Sequence, residues 1–431
     1  MVPLRALQDG ERAEIDVAIG PLTTRLVALH TEVDDGAAGG VAGFVDTLER
    51  GPFRSWRHEH RFHPVDAQRC RLVDRITFSG PLLGVGDGYV LHKLGRMFRH
   101  RHDTTRLDAE LLQALSSSSS SSPLRIGMTG SSGVIGTELH ALLSVAGHEV
   151  VPIVRTDLLN SAGARANTGA VSWDVDSGAL HGAGGLDAVV HLAGENIAAG
   201  RLDDAKMQRL RSQRIDGTRK LLDALAALPD PPRVVVSAGA VGCYGDRGDD
   251  VVDEDSVVGA GLLASLCAGW EDAVLAPRRL ADRDRSWRAV VLRIGIVQTP
   301  RGGALHAQLP AFRAGVGGPL GDGKAWVAAV TVDDVAAMFL RALLDERCRG
   351  IVNAVGVESV RGGDYARTLG RVLRRPALLP VPRAALRVVV GDLAPALLES
   401  QRVRPSRLLG LGHRFRHDTV EAGLRHVLGR R

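Results

Sequence analysis

Three glycines with the spacing Gly-x-x-Gly-x-x-Gly follow an apolar segment at residues 124–129. Gly130 permits a tight turn, Gly133 leaves space where a phosphate would approach, and Gly136 allows a helix to pack closely. The next segment has the apolar periodicity of a helix, whose first turn offers unpaired N–H groups and the positive end of its dipole. A strand, a glycine loop and a helix in this order predict a dinucleotide-binding loop, formed by Gly130, Ser131, Ser132, Gly133, Val134, Ile135 and Gly136.

The residue at the end of the next predicted strand indicates which dinucleotide is bound. Sites specific for NAD carry an acidic residue there for the ribose 2′-hydroxyl, whereas NADP sites carry an arginine for the 2′-phosphate. The strand predicted at 149–154 is followed by Arg155, and Asp157 lies two positions later, where we expect it to point elsewhere. The sequence therefore predicts NADP as the cofactor and Arg155 as its phosphate contact. The alternative is that Arg155 is a solvated surface residue.

The rest of the chain alternates between strand and helix patterns. A second loop of small residues, Leu192, Ala193 and Gly194, follows the predicted strand at 186–192 and is expected to lie against the cofactor. Further strands are predicted at 233–237, 288–297 and 350–355, and helices at 203–228, 331–345 and 362–373. Such alternation predicts an α/β Rossmann fold, a doubly wound parallel sheet with helices on both faces.

The chain before this region has a different pattern. Strands are predicted at 12–19, 24–30, 56–62 and 70–78, and a helix at 88–115. Seven consecutive serines and Pro123 follow, and a serine run is typical of a flexible linker. The sequence thus predicts an α+β domain at 1–115, a linker at 116–123 and the α/β domain at 124–431, with a smaller C-terminal lobe at about 298–330 and 356–431.

Three histidines, His58, His60 and His63, lie close together on one predicted strand. Histidine is a common metal ligand, but no carboxylate or cysteine pattern completes a site in this stretch. We therefore interpret the three as polar residues on the solvated face of the strand, since antiparallel sheets commonly have one such face.

Composition narrows the classes of protein further. The chain has 431 residues with 45% hydrophobic and 24% charged side chains, a balance typical of globular proteins. No apolar run approaches the ~20 residues of a membrane span, and the first residues lack the apolar core of a signal peptide. The four cysteines are far apart. These features predict a cytoplasmic protein without a membrane span, a disulfide framework or a zinc ribbon.

The formal charge of +5 is concentrated near the C-terminus, because residues 370–431 contain 13 basic and 4 acidic side chains. No helix-turn-helix, zinc finger or aromatic platform accompanies these cations, so nucleic-acid binding is not indicated. We expect instead that the C-terminal lobe holds an anionic small-molecule substrate or packs beside the NADP phosphates.

Residues 124–430 resemble the SDR39U1-like epimerase family, an atypical branch of the extended short-chain dehydrogenases/reductases. The resemblance implies an NADP-binding Rossmann domain and a smaller substrate-binding lobe at the C-terminus. It rests on six motifs: Val171-Ser172-Trp173-Asp174, Leu192-Ala193-Gly194-Glu195-Asn196-Ile197, Cys243-Tyr244-Gly245-Asp246-Arg247-Gly248, Leu292-Arg293-Ile294-Gly295-Ile296-Val297, Gly317-Gly318-Pro319-Leu320-Gly321-Asp322-Gly323 and Gln401-Arg402-Val403-Arg404-Pro405.

The catalytic residues that extended reductases use are missing from the corresponding positions. Those enzymes use a Tyr-x-x-x-Lys pair with a serine and an asparagine. The matching positions here hold Leu263, Cys267, Gly239 (with Ser237 nearby) and Arg214.

Two interpretations stay open. In the first, the protein is an oxidoreductase or epimerase that uses other groups: Tyr244 beside Asp246 as the acid, and Glu195 and Arg214 as anchors of cofactor or substrate. Cys267 is a further candidate, as a nucleophile or as a buried, inert thiol. In the second, the protein binds NADP without catalysis, as a redox sensor or scaffold.

Residues 10–110 resemble the later part of the polyketide-cyclase/START-like (SRPBCC) family. That family folds a curved sheet around a long helix, the helix grip, and the resemblance implies an apolar ligand between them. The family's opening strand and helices have no counterpart here, so we expect the start of this module to be either truncated or misassigned. The matching stretches are Gly43-Phe44-Val45-Asp46, Gly51-Pro52-Phe53, Trp56-Arg57-His58-Glu59-His60-Arg61-Phe62 and Met97-Phe98-Arg99-His100-Arg101-His102.

Overall fold

A computed structural model describes residues 8–19, 22–36, 40–67, 69–80, 87–116, 122–157, 169–197, 199–278 and 286–430. The chain divides into two compact units, one of residues 3–99 and one that contains residues 100–431. This division falls inside helix α1 (Asp87–Ser116), upstream of the serine run. Most of that run, 117–121, lies outside the described residues.

The first unit contains a five-stranded antiparallel sheet with the strands in chain order. Its small core includes Leu26, Ala28, Phe53 and Trp56. The four predicted strands and the helix are confirmed, and a further strand, β3, completes the sheet. The strands are β1 (Arg12–Ile19), β2 (Leu22–Asp34), β3 (Ala42–Arg50), β4 (Ser55–Asp66) and β5 (Arg69–Ser79).

The expectation that the histidines of β4 lie on a solvated face is wrong for two of them. His58 and His60 are buried, whereas His63 is exposed. Side chains alternate between the two faces of a strand, so His58 and His60 share the face of the buried Trp56. The missing carboxylates come from neighbouring strands, because Asp46 of β3 and Asp74 of β5 contact both histidines.

The second unit is built on an eight-stranded sheet that confirms the predicted Rossmann fold. Its order is β16-β13-β11-β10-β6-β7-β8-β9, and the neighbours are parallel except for the last pair. The central strands are continuous apolar runs, as expected of strands covered on both faces. The strands are β6 (Arg125–Thr129), β7 (Glu149–Arg155), β8 (Val171–Trp173), β9 (Leu180–His181), β10 (Ala188–His191), β11 (Val234–Ala240), β13 (Arg288–Ile294) and β16 (Gly350–Ala354).

The strand order reverses between β6 and β10, and in open α/β sheets ligands bind at such a switch point. The helices of this unit include α2 and α7, which pack on each other, and α4 and α5, which also pack on each other. The helices are α2 (Val134–Val145), α3 (Asp204–Arg211), α4 (Gly217–Ala226), α5 (Leu262–Leu275) and α7 (Val332–Leu344).

Two elements that the sequence predicts as continuous are divided. The helix at 203–228 contains a π-helical turn, Ser212–Asp216, between α3 and α4, and such turns often occur at functional sites. The strand at 288–297 is broken at Gly295, where a Cβ atom would lie 2.4 Å from the carbonyl oxygen of Ala328. The chain resumes as β14 (Ile296–Gln298) in a different sheet.

This second sheet has the order β14-β15-β17 and carries a separate hydrophobic core. Phe312, Tyr365, Leu369 and Leu424 are buried in it. Its elements are β15 (Trp326–Thr331), β17 (Ser359–Arg361), α6 (Gly303–Arg313), α8 (Gly362–Leu373) and α11 (Val420–Val427). Short elements nearby are β12 (Val251–Val252), β18 (Arg402–Val403), α9 (Arg383–Val390) and α10 (Ser406–Gly410). None of the helices in the described ranges is both long and apolar enough to cross a membrane.

Candidate functional site

The glycine loop between β6 and α2 closes so tightly that side chains are excluded at two positions. Gly130 has a φ of +67°, and a Cβ atom on it would lie 2.8 Å from the carbonyl carbon of Leu192. A Cβ atom on Gly136 would lie 2.1 Å from the carbonyl oxygen of Gly130. Gly136 thus packs against the backbone of its own loop, rather than only against a strand.

Gly133 differs from these two because space remains around it. A Cβ atom there would approach only the carbonyl oxygen of Gly130, at 3.2 Å. Gly133 is the N-cap of α2, and no side chain caps this end of the helix. The first turn therefore presents backbone N–H groups and the positive end of the helix dipole, the arrangement that binds a phosphate.

A buried chain of hydrogen bonds holds the second loop, 192–194, beside the glycine loop. The Thr129 hydroxyl oxygen accepts the N–H groups of Leu192 (3.0 Å) and Ala193 (3.1 Å). It lies 2.8 Å from Nδ1 of His191, whose Nε2 lies 3.0 Å from the hydroxyl of Thr218. Burial lowers the pKa of His191 to about 4, so the ring is neutral at pH 7. The hydroxyl proton of Thr129 therefore goes to Nδ1, and Nε2–H donates to Thr218.

Sequence reasoning missed Thr129, His191 and Thr218. The available signal was a histidine at the end of the otherwise apolar strand 188–191. A polar residue in such a position must find partners, because an unpaired buried polar group is costly.

Arg155 stands at the end of β7, as predicted, but Asp157 does not point away from it. The Asp157 carboxylate accepts hydrogen bonds from Nε (3.0 Å) and Nη2 (2.5 Å) of Arg155. These hydrogen bonds raise the pKa of Arg155. The Arg155 side chain is 51% exposed, so its guanidinium is accessible to a ligand in the folded protein.

Arg214 lies in the π-helical turn and is buried against the second loop. Its Nη2 donates to the carbonyl oxygen of Glu195 (2.8 Å), and its guanidinium lies 5.3 Å from the centre of the Trp270 ring. A Cβ atom on Gly194 would lie 3.3 Å from Cζ of Arg214. Burial lowers the pKa of Arg214. Its Nη1 is buried and has no hydrogen-bond partner among the described residues, so this donor is available to a cofactor or substrate oxygen.

The neighbouring Glu195 is already engaged by other side chains. Its carboxylate oxygen lies 3.5 Å from the amide nitrogen of Gln213 and 3.7 Å from Nε of Arg209. Glu195 thus helps to fix the second loop, with its carboxylate beside the positive charge of Arg209.

Tyr244 is not placed to act as a proton donor. Its hydroxyl is buried between the carbonyl oxygen of Asp253 and Oδ1 of Asn353, each at 2.8 Å, and burial raises its pKa. Asp246, the proposed partner, instead accepts the N–H groups of Gly248 and Ser400. The structure therefore contradicts the proposed pair of Tyr244 and Asp246.

The residues at the other usual catalytic positions are also buried or too small. Burial raises the pKa of Cys267 to about 12, so the thiol is not a nucleophile at neutral pH. Ser237 is buried and donates to the carbonyl oxygen of Ala238 (3.0 Å). A Cβ atom on Gly239 would lie 2.7 Å from the Val291 side chain, so this position has no room for serine.

This burial predicts which cysteines react. We expect iodoacetamide at about pH 8 to modify the exposed Cys70 in the native protein and to spare Cys243, Cys267 and Cys348, because a buried neutral thiol does not attack. Mass spectrometry of tryptic peptides measures this directly, with protein unfolded in urea as the control in which all four react. Modification of native Cys267 at a rate similar to that of Cys70 would contradict the assignment.

Several basic residues of the C-terminal segment make contacts within the second unit. Arg371 pairs with Glu421 (3.1 Å), and Arg407 pairs with Asp255 (2.9 Å). The guanidinium of Arg402 lies 4.4 Å from the centre of the Trp326 ring. Arg371 and Arg407 are thus each paired with a carboxylate, whereas Arg402 lies against an aromatic ring.

Comparisons with known proteins agree with this geometry. The model of the NAD dependent epimerase/dehydratase family matches residues 126–354, and a domain of unknown function, DUF1731, matches residues 381–427. The "Epimerase family protein Mb2239" of Mycobacterium bovis is 36% identical over 308 residues, which are 71% of this chain and 98% of that protein. The human "Epimerase family protein SDR39U1" is 32% identical over 309 residues, which are 71% of this chain and 100% of that protein.

Two solved structures are also similar to this chain in fold. The crystal structure of the human protein SDR39U1 (isoform 2) with NADPH matches with a TM-score of 0.63 and 32% identity, over 70% of this chain and 99% of that one. A nucleoside-diphosphate sugar epimerase from Corynebacterium glutamicum matches with a TM-score of 0.72 and 29% identity, over 95% of this chain and 78% of that one. The chain therefore belongs to the NAD dependent epimerase/dehydratase family, with SDR39U1-like proteins among its relatives.

Proposed function

We propose that this protein binds NADP at the switch point between β6 and β10 and acts as an oxidoreductase or epimerase of the extended short-chain dehydrogenase/reductase type on a small molecule. The observation that carries the proposal is the open N-terminus of α2, framed by Gly130 and Gly136, which tolerate no side chain. A human relative that was crystallised with NADPH supports it. When bound, NADP supplies hydride transfer at its nicotinamide ring.

The residues of this chain would bind and orient the cofactor. The N–H groups of the first turn of α2 would receive the pyrophosphate, and Arg155 would receive the 2′-phosphate. Thr129 and His191 hold the second loop in place, and Arg214 offers its unpartnered Nη1 at that loop.

The cofactor preference can be tested at Arg155. Replacing it by aspartate is expected to shift the ratio of NADPH to NADH affinity at least ~10-fold toward NADH, about 1.4 kcal/mol, because a carboxylate repels the 2′-phosphate and accepts the 2′-hydroxyl. Calorimetric titration with each dinucleotide measures the ratio.

The matched control is Asp157→Asn, which removes the carboxylate that Arg155 contacts and leaves the arginine in place. This variant is expected to bind NADPH at least as tightly as the native protein. An unchanged affinity ratio in Arg155→Asp would mean that Arg155 does not contact the 2′-phosphate.

A second candidate function is NADP binding without catalysis, as a redox sensor or scaffold. It is favoured by the burial of Tyr244 and Cys267 and by the lack of room for serine at position 239. Incubation with NADPH and a panel of carbonyl compounds and nucleotide sugars distinguishes the two. Oxidation of NADPH supports the enzyme, whereas tight binding without turnover supports the sensor.

Further proposals concern the other parts of the chain. We infer a domain organisation with a helix-grip domain at 1–115, a serine linker at 116–123 and the NADP-binding domain at 124–431. The helix-grip domain would hold an apolar ligand, and the C-terminal lobe at about 298–330 and 356–431 would hold the substrate, which we propose to be anionic. We place the protein in the cytoplasm and expect no nucleic-acid partner.

A further inference from the structure

Three histidines and two aspartates meet on one face of the N-terminal sheet. His30 of β2 lies opposite Asp46 of β3, and Asp46 lies opposite His58 of β4. His60, two positions along β4, lies opposite Asp74 of β5. Residues two apart on a strand point to the same side, so four adjacent strands bring five metal-binding side chains to one place.

Three of these side chains are almost completely withdrawn from solvent. Asp46, His58 and His60 are 8%, 5% and 2% exposed. One potential ligand atom from each can be chosen so that all three atoms lie within 4.8 Å of one another. Buried ionisable groups of this kind are either paired with one another or coordinate a metal ion.

Aromatic rings surround this cluster. The Phe44 ring stacks on His60 with the ring centres 4.2 Å apart, and the Phe98 ring meets His58 edge-on at 5.1 Å. Trp56 lies on the other side of His58, at 6.2 Å. An apolar shell lowers the local dielectric constant, so ionisable groups inside it must be paired with each other or with an ion.

The hydrogen bonds of the cluster divide its atoms into two sets. Asp74 Oδ1 lies 2.8 Å from Nδ1 of His60 and 3.1 Å from Nε2 of His58. The opposite ring nitrogens face Asp46 Oδ2, which lies 3.2 Å from Nε2 of His60 and 3.9 Å from Nδ1 of His58. A neutral imidazole has only one N–H group, so its second nitrogen carries a lone pair. In the tautomers that direct both N–H groups to Asp74, which a bound ion would select, the two lone pairs and one carboxylate oxygen converge.

We propose that Asp46, His58 and His60 form a binding site for a divalent transition-metal ion, and that zinc fits it well. Asp46 Oδ2, Nε2 of His60 and Nδ1 of His58 would be the ligand atoms. Two imidazole nitrogens and one carboxylate oxygen suit zinc and its neighbours, whereas calcium and magnesium prefer oxygen ligands alone.

The geometry requires only a small adjustment. Asp46 Oδ2 lies 3.2 Å from Nε2 of His60 and 3.9 Å from Nδ1 of His58, close to the roughly 3.5 Å that separates two ligands of a tetrahedral zinc ion with bond lengths of about 2.0–2.2 Å. His30 would hold Asp46 through its other oxygen, Oδ1, at 2.6 Å, and Asp74 would orient both histidines. Carboxylates that accept the second N–H of a ligating histidine are typical of metal sites.

The test uses the full-length protein, stripped with a chelator and then titrated with zinc alone. Calorimetry and elemental analysis are expected to give about one bound zinc per chain, and the melting temperature is expected to rise as binding to the native state stabilises it. Asp46→Asn and His60→Ala are expected to weaken zinc binding at least ~10-fold. Cobalt should produce a visible absorption spectrum in the native protein that both variants lose.

Two control variants locate the site. His63→Ala removes an exposed histidine of the same strand. His426→Ala removes a histidine from a cluster in the second unit, where its ring centre lies 4.5 Å from those of both His100 and His417. Both controls are expected to keep the zinc. No zinc binding by the native protein, or loss in His426→Ala rather than in His60→Ala, would overturn the proposal. These measurements need no NADPH, so they are independent of the proposed function.

Discussion

Replacing Gly133 by valine is expected to lower the affinity for NADPH at least ~100-fold, about 2.8 kcal/mol, while the chain still folds. The physical reason is the position of Gly133 at the start of α2, where the pyrophosphate of the proposed cofactor would approach the backbone N–H groups. A side chain there blocks the phosphate, yet its Cβ atom meets only one protein atom, at 3.2 Å. Calorimetric titration with NADPH measures the loss, and circular dichroism checks the fold.

The matched control is Gly184→Val, because a Cβ atom on Gly184 meets no atom within 4 Å. This variant is expected to bind NADPH with native affinity. Gly136→Ala provides a contrast, since its Cβ atom would overlap the carbonyl oxygen of Gly130 and distort the loop itself. If Gly133→Val binds NADPH as the native protein does, the cofactor does not lie over this loop.

The largest change in stability is expected at the buried ion pair between Glu271 and Arg293. Nε and Nη2 of Arg293 each donate to the Glu271 carboxylate at 2.7 Å, and both side chains are almost fully buried. Glu271→Gln leaves the guanidinium charge uncompensated in the interior, which should lower the free energy of unfolding by about 3–5 kcal/mol. Urea-induced unfolding followed by circular dichroism measures the difference.

The chain offers two informative comparisons for this prediction. Arg106 and Glu110 form an exposed ion pair and lie four residues apart on a helix. Glu110→Gln should therefore lower the free energy of unfolding by only about 0.3–0.5 kcal/mol. The double variant Glu271→Leu with Arg293→Met removes both charges. Its free energy of unfolding should therefore fall by less than that of Glu271→Gln. If Glu271→Gln lowers the free energy of unfolding as little as Glu110→Gln does, solvent reaches the pair of Glu271 and Arg293.

Glu271 and Arg293 also lie near two residues that were candidates for catalysis, Tyr244 and Cys267. Arg293 lies over the Tyr244 ring, with its guanidinium carbon 4.8 Å from the ring centre, and Cys267 precedes Glu271 by one helical turn. Tyr244 and Cys267 are thus both close to a buried charge pair. We expect any catalysis to use groups nearer the second loop, such as Arg214.

The nucleotide-binding part of this protein could be predicted from sequence because its signals are local. A strand, three glycines and a helix within a few tens of residues depend on backbone geometry alone, so the glycine loop and the tight turn at Gly130 could be predicted directly. The repeated alternation of strands and helices was enough to predict the parallel sheet.

Interactions between distant segments could not be predicted in this way. The break at Gly295 lies where the backbone packs against Ala328, and no short sequence pattern records this contact or the π-helical turn at Ser212–Asp216. The buried position of the Tyr244 hydroxyl depends on Asn353, which is 109 residues away.

The histidines of β4 illustrate the same division most clearly. The sequence alone determined that His58 and His60 share one face of a strand, because side chains alternate with a period of two. It could not reveal that Asp46 and Asp74 lie across from them, since strand register depends on turns and on the whole sheet. Only the tertiary structure decided that this face is the buried one, and only there do two imidazoles and a carboxylate come within reach of one ion.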